Sequence, residues 1–127
     1  MQNILISSGL IQVTFAIALG WVLTGLYSGM KSVGPLKNAR RLLQCHLDNI
    51  FMALLQMAIA AVFPALPILA GWLLVIGSWT NPQLFLYQAT SAGNGRDLPG
   101  ISVLALASFA ILSAAYGWLL LAWFEVV

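Results

Sequence analysis

Charge is what this sequence has least of: 6% of its 127 residues are Asp, Glu, Lys or Arg, while 61% are hydrophobic. Soluble domains carry about a quarter charged residues. Eight formal charges cannot solvate a surface of this size, which argues against a soluble enzyme, a disordered segment and a nucleic-acid binder alike. Cysteine is single (Cys45), so no internal disulfide forms, and histidine is single (His46). One His cannot complete a tetrahedral zinc site, and CxxC, HxxxH and ExxH spacings are absent. Missing too are a Ser-His-acid arrangement, a glycine-rich phosphate loop and the inverted repeat of broken helices found in transporters. Met1–Leu10 contains no Lys or Arg, so it lacks the basic opening of a cleaved signal peptide and is expected to remain as a helix.

What is present is long apolar sequence, with a mean hydropathy of +0.97. No charge interrupts Met1–Met30, Asn49–Gly95 or Leu98–Phe124. A helix needs about 20 apolar residues to span a bilayer, so these runs predict an all-α, integral-membrane four-helix bundle forming one domain. The helices are expected at about 3–28, 40–63, 65–89 and 100–124, with Pro64 and Pro67 breaking the long middle run into a hairpin. Lys31, Lys37, Arg40 and Arg41 fall in or beside the first loop and Arg96 in the third, which places both loops in the cytoplasm and both termini outside it, in a bacterial inner membrane. Small residues recur at Ala16, Gly20 and Thr24, at Ala110/Ala114 and at Ser113/Gly117, a spacing that lets helices approach closely. Four helices are too few to enclose a transport path, so association with further copies in the membrane lipid is expected.

Ionisable groups at membrane depth are costly and mark functional candidates. His46 and Asp48 qualify, both early in the second helix. At about 100° per residue, Asn49, Ala53 and Gln56 share the side of His46, while Gln44 and Asp48 point almost oppositely. The third helix carries Ser78-Trp79-Thr80-Asn81-Pro82-Gln83, where Pro82 frees a carbonyl one turn earlier. Asn81 and His46 lie at similar depth, and Trp21, Thr24 and Ser108 fall in roughly the same layer. Each residue has two readings. His46 either bonds a carbonyl or serine across the bundle or serves as ligand or catalyst; Asp48 either pairs with Gln44 or transfers protons; Asn81 either satisfies the broken helix or orients a substrate. Cys45 reads as an apolar filler. Lys37, Arg40 and Arg41 either anchor the topology or hold an anionic group such as a lipid phosphate or haem propionates. The cofactor that one His can serve is haem, whose iron needs only one axial protein ligand.

An intramembrane His early in the second of four helices, with Trp79-Thr80-Asn81 followed by aromatic residues in the third, resembles the styrene oxide isomerases and hydroxylaminobenzene mutases. The resemblance implies a membrane enzyme that rearranges a small apolar aromatic substrate without net redox change. In the styrene oxide branch it further implies a homotrimer and a haem b whose ferric iron is ligated by the residue matching His46 and acts as Lewis acid. Trp79 and Asn81 match the family's Trp-x-Asn. The styrene oxide branch has Asn six residues after the His, where this chain has Met52, and Tyr six after the Trp, where this chain has Phe85. The acidic residue two after the His, Asp48, leans toward the mutase branch.

The expected activity is therefore a hydroxylaminobenzene mutase-like rearrangement, with epoxide isomerisation as the alternative. His46 would hold iron, with Arg40 and Arg41 beside the cofactor. Asn49 or Asn81 would orient the substrate oxygen, Asp48 and Tyr87 would assist as catalytic groups, and Trp79 and Phe85 would stack on the arene. The rival from another class is a non-catalytic haem- or quinone-associated subunit or a scaffold. The topology makes a direct prediction: Lys37→Cys and Glu125→Cys should be labelled by an impermeant thiol reagent from opposite sides of the membrane. Labelling from one side would mean an even number of spans between them, where the sequence predicts three.

Overall fold

A computed structural model describes residues 1–90 and 99–126. They form four helices: α1 (Gln2–Tyr27), α2 (Ala39–Val62), α3 (Ile68–Ala89) and α4 (Pro99–Val126). Three of them, α1, α2 and the Gly100–Glu125 part of α4, are long and apolar enough to cross a membrane. The 22-residue α3 is not among these; its second half carries Ser78, Thr80, Asn81, Gln83 and Gln88.

The helix ends follow from local chemistry. Asn38 caps α2 by accepting from the Arg41 backbone N–H at 3.1 Å. Phe63 ends it in an extended conformation, as the residue before Pro64 must tend to do. The start of α3 lies three residues later than the expected position 65, because Pro67 occupies the N-cap and holds Leu66 outside the helix. After α1, Gly29 adopts a φ of 105° and Gly34 a φ of 59°, left-handed corners that suit glycine. Gly34 sits in a tight turn closed by Val33 and Leu36, each donating its N–H to the other's carbonyl.

The helices run as a serpentine in which α1 packs on α2, α2 on α3 and α3 on α4. At one end, Lys37 and Asn38 both donate backbone N–H groups to the Ala89 carbonyl, at 2.9 and 3.1 Å, so the basic α1–α2 loop is pinned to the end of α3. At the other end, the Gln2 side chain donates to the Phe63 carbonyl, and Phe63 meets Trp123 of α4 edge-on at 5.4 Å. Arg96 lies outside the described residues.

The burial pattern is inverted relative to a water-soluble protein. Leu10, Ile11 and Ile17 of α1, Phe51 and Leu54 of α2, and Leu106, Phe109 and Leu121 of α4 face outward, while Gln12, Asn49, Gln56 and Ser78 are fully buried. Apolar exteriors suit a hydrocarbon solvent, in which polar groups must find partners within the protein. Two apolar clusters bracket the buried amides: Leu5, Ala60, Leu74 and Leu119 toward the chain termini, and Leu19, Leu23, Leu42 and Cys45 toward the basic loop.

The small-residue rows separate into two kinds. On α1, Ala16 is fully buried and Gly20 lies beneath His46, so this row is a packing face; Thr24 is exposed and bonds its own helix at the Gly20 carbonyl. On α4, Ala110, Ser113, Ala114 and Gly117 are exposed, and Gly117 has open space around it. Close approach occurs instead at Gly9, where a Cβ would lie 2.9 Å from the Ala53 carbonyl oxygen, and at Gly77, where it would lie 2.7 Å from Leu112. Gly9→Ala should therefore destabilise the bundle by roughly 1–3 kcal/mol, since α1 must back away from α2. Gly117→Ala, with open space around it, should instead stabilise the protein by up to about 1 kcal/mol, the helix-propensity gain of Ala over Gly. Detergent-titrated unfolding of the two variants measures the contrast.

Candidate functional site

Pro82 sets the geometry of the middle of the bundle. Its missing N–H leaves the Ser78 carbonyl without a helical partner, and this carbonyl is satisfied across the bundle by Gln12 Nε2 at 2.7 Å. The same amide nitrogen donates to Asn49 Oδ1 at 3.0 Å, and Gln12 Oε1 accepts from Gln56 Nε2 at 2.6 Å. Asn49 in turn donates from Nδ2 to the Cys45 carbonyl at 2.8 Å. One side chain of α1 thus ties together α2 and α3. Asn49, expected to orient a substrate, has both ends of its amide committed inside the protein. Gln56 Oε1 and the Ser78 hydroxyl are buried without partners among the described residues.

One turn from Asn49 on the same face, half-buried His46 places Nδ1 2.7 Å from the Ala16 carbonyl of α1. A carbonyl only accepts, so Nδ1 carries the hydrogen, and in the neutral ring Nε2 is left with a free lone pair. The ring lies against Gly20, where a Cβ would come within 3.2 Å of Cε1. The carbonyl bond predicted by the structural reading of His46 therefore exists, and it is made by the nitrogen that leaves Nε2 available. That is the arrangement of a metal-ligating or basic imidazole, with its far nitrogen anchored to a backbone carbonyl. This donor chemistry fits one axial ligand to a haem iron. Among the described residues no group of three His, Cys, Asp or Glu could hold a bare metal ion.

The remaining expected residues fall in different places. Arg41 donates from Nη1 to Gln44 Oε1 at 2.9 Å, so Gln44 pairs with Arg41 and not with Asp48. Arg40 is exposed. Half-buried Asp48 makes no hydrogen bond or ion pair among the described residues, and its direction on α2 is about 200° from that of His46. Phe85 packs into the apolar cluster with Leu19, Leu23 and Leu42. Asn81 accepts from Ser108 of α4 at 3.3 Å, a cross-link between α3 and α4 in place of capping the proline break. Trp79 donates from its indole to Ser8 of α1 at 2.9 Å and meets the Phe15 ring at 6.2 Å. Trp21, placed in the same layer by depth, is 75% exposed on the outside of α1.

Trp79 and Tyr87 do share a feature that the sequence does not announce, a cavity of about 900 Å³ lined by α3 and α4 on the loop side of their contact at Gly77 and Leu112. Its α3 wall holds Trp79, Thr80, Gln83 and Tyr87; its α4 wall is apolar apart from Ser108. His46 and Asn49 do not line it. The expected site is thus divided between an imidazole on the α1 side of α2 and an aromatic-walled cavity between α3 and α4.

Gln12 is the residue that sequence reasoning overlooked. The available signal was an isolated amide in the charge-free run of α1, combined with a carbonyl known to be freed by Pro82. Gln12→Leu should leave the Ser78 carbonyl, Asn49 Oδ1 and Gln56 Nε2 without partners at once. At about 0.6–2 kcal/mol for each hydrogen bond between membrane helices, the loss of three should reach roughly 2–6 kcal/mol, read as a lower unfolding midpoint in mixed micelles. No family model matches the chain, and no curated protein or solved structure matches it either.

Proposed function

We propose that this chain is a membrane-embedded isomerase or mutase that rearranges a small apolar aromatic molecule without net redox change, of the hydroxylaminobenzene mutase type. The observation that carries the reading is His46, whose Nδ1 is anchored on the Ala16 carbonyl while Nε2 has no partner among the described residues. An ionisable side chain kept at membrane depth, with one nitrogen fixed and the other free, is arranged for chemistry on a neighbouring molecule. The apolar exterior supports the substrate class, since a neutral arene reaches such a site by partitioning into the bilayer.

The chain's own residues do the following. The Ala16 carbonyl holds the proton on Nδ1 and fixes the ring plane; Gly20 leaves room for the ring against α1. Asn49, through Gln12, fixes the register of α2 against α1 and α3 and so positions the imidazole one turn away. His46 Nε2 accepts a proton or donates its lone pair to an acid centre. Leu-rich flanks exclude water, which strengthens any charge interaction formed there. His46, with Arg40 and Arg41 toward the propionates, would hold a haem, which would supply a Lewis-acidic iron. In a hydroxylamino-arene the N–O bond breaks, the hydroxyl forms a C–O bond at the ortho carbon, and the proton displaced from that carbon is balanced by the one taken up at nitrogen. In the epoxide alternative, the C–O bond is polarised before a 1,2-hydride shift. The protomers would assemble as a homotrimer in a bacterial inner membrane, with both termini outside the cytoplasm.

The test combines turnover with spectroscopy. The purified parent protein should convert phenylhydroxylamine faster than styrene oxide, and His46→Ala should lower the rate by at least about 100-fold while its unfolding midpoint stays close to the parent's. A haem absorption band present in the parent and lost in His46→Ala identifies the axial ligand. Parent-like turnover in His46→Ala would remove the catalytic assignment and leave a scaffold.

A further inference from the structure

The cavity between α3 and α4 is unused by the chemistry assigned to His46, and its lining specifies a ligand of its own. Among the described residues no charged side chain lines it, so a charged occupant would find no counter-charge on these walls. At about 900 Å³ it lies in the range of small-molecule sites. Trp79, Gln83 and Tyr87 follow one another at four-residue spacing and share one face of α3. The indole of Trp79 is held in place by Ser8, giving a fixed aromatic surface at one end of this row. Thr80 and Ser108 spend their hydroxyl hydrogens within the protein, on the Ile76 and Ala105 carbonyls and on Asn81 Oδ1. The Gln83 amide and the Tyr87 hydroxyl make no hydrogen bond among the described residues.

Two unpartnered donors therefore stand one turn apart, about 6 Å, on an aromatic wall that faces apolar α4. Because α4 packs along α3 and not against α1, the cavity can be entered from the side. We infer that the α3–α4 cavity binds a neutral flat ring bearing hydrogen-bond acceptors on opposite edges, the chemistry of a lipid-soluble quinone. Gln83 Nε2 and the Tyr87 hydroxyl donate to the two ring carbonyls, the ring lies along the row between Trp79 and Tyr87, and an apolar tail runs out along Leu104 and Ile111. The inference does not depend on the assignment of His46, and it involves binding alone.

The experiment uses the full chain in nanodiscs and two probes of nearly one shape, menadione and 2-methylnaphthalene, titrated calorimetrically against empty nanodiscs. Menadione should bind saturably and at least about tenfold more tightly than 2-methylnaphthalene, the worth of about 1.4 kcal/mol of hydrogen bonding. The double variant Gln83→Leu/Tyr87→Phe should erase that preference, and Ala107→Trp, which fills the cavity from α4, should abolish binding of both. His46→Ala should bind menadione as the parent does. Equal affinity of the parent for both probes would overturn the inference in favour of an unselective apolar crevice filled by acyl chains. Menadione binding that survives the double variant but is lost in His46→Ala would also overturn it, and would move the ring to the imidazole. Because the double variant changes only lining side chains, it keeps the comparison decisive even if Ala107→Trp fails to fold.

Discussion

The arrangement of the bundle depends on one carbonyl. Pro82 removes the hydrogen that would have bonded Ser78, and a bare carbonyl in an apolar surrounding costs several kcal/mol. The amide of Gln12 is the group that meets it, and a glutamine so placed must also dispose of its second N–H and its oxygen. Asn49 and Gln56 take these up. A defect in one helix thereby fixes the relative height and rotation of two others, and with them the place of His46 one turn from Asn49.

Much of this was legible before any coordinates. The hydrophobic runs and proline pair gave four helices within a few residues of where they lie, and the 100° rule put Asn49, Ala53 and Gln56 on one face, all of which are fully buried. The carbonyl freed by Pro82 was likewise visible. What filled it was not, because a sequence shows that a donor is needed without showing which helix passes nearby. Depth alone misled for Trp21 and Thr24: residues at one height in the membrane need not face one another, and these two turn outward. Likewise the small-residue spacing on α4 matches that on α1, yet Ala16 of α1 is buried while the α4 row is exposed. Periodicity identifies a face and leaves open what the face meets.

The division of the candidate residues has a similar cause. His46 and Trp79 lie on different helices, and whether they converge depends on the rotation of α3 about its axis. The Gln12–Ser78 bond sets that rotation so that Ser78 and Pro82 point inward, which turns Trp79, Gln83 and Tyr87 toward the gap beside α4. Motif spacing on α3 alone could not reveal this, since it contains no information about the partner on α1. The expected single site becomes two places with different chemistry: a titratable nitrogen in one, and neutral donors with aromatic rings in the other.

Among the described residues the fourth helix shares a single polar cross-link with the rest, Ser108 to Asn81, and otherwise meets α3 and the end of α2 through apolar side chains. The amide cluster, the imidazole anchor and the clasp of the basic loop on Ala89 all lie within residues 1–90. None of these bonds requires the fourth helix, so the first three helices hold one another whether or not it is docked. The fourth adds a wall to a unit tied together without it, so the gap beside Gln83 and Tyr87 can widen or narrow with α4 while the amide cluster and the imidazole anchor stay in place.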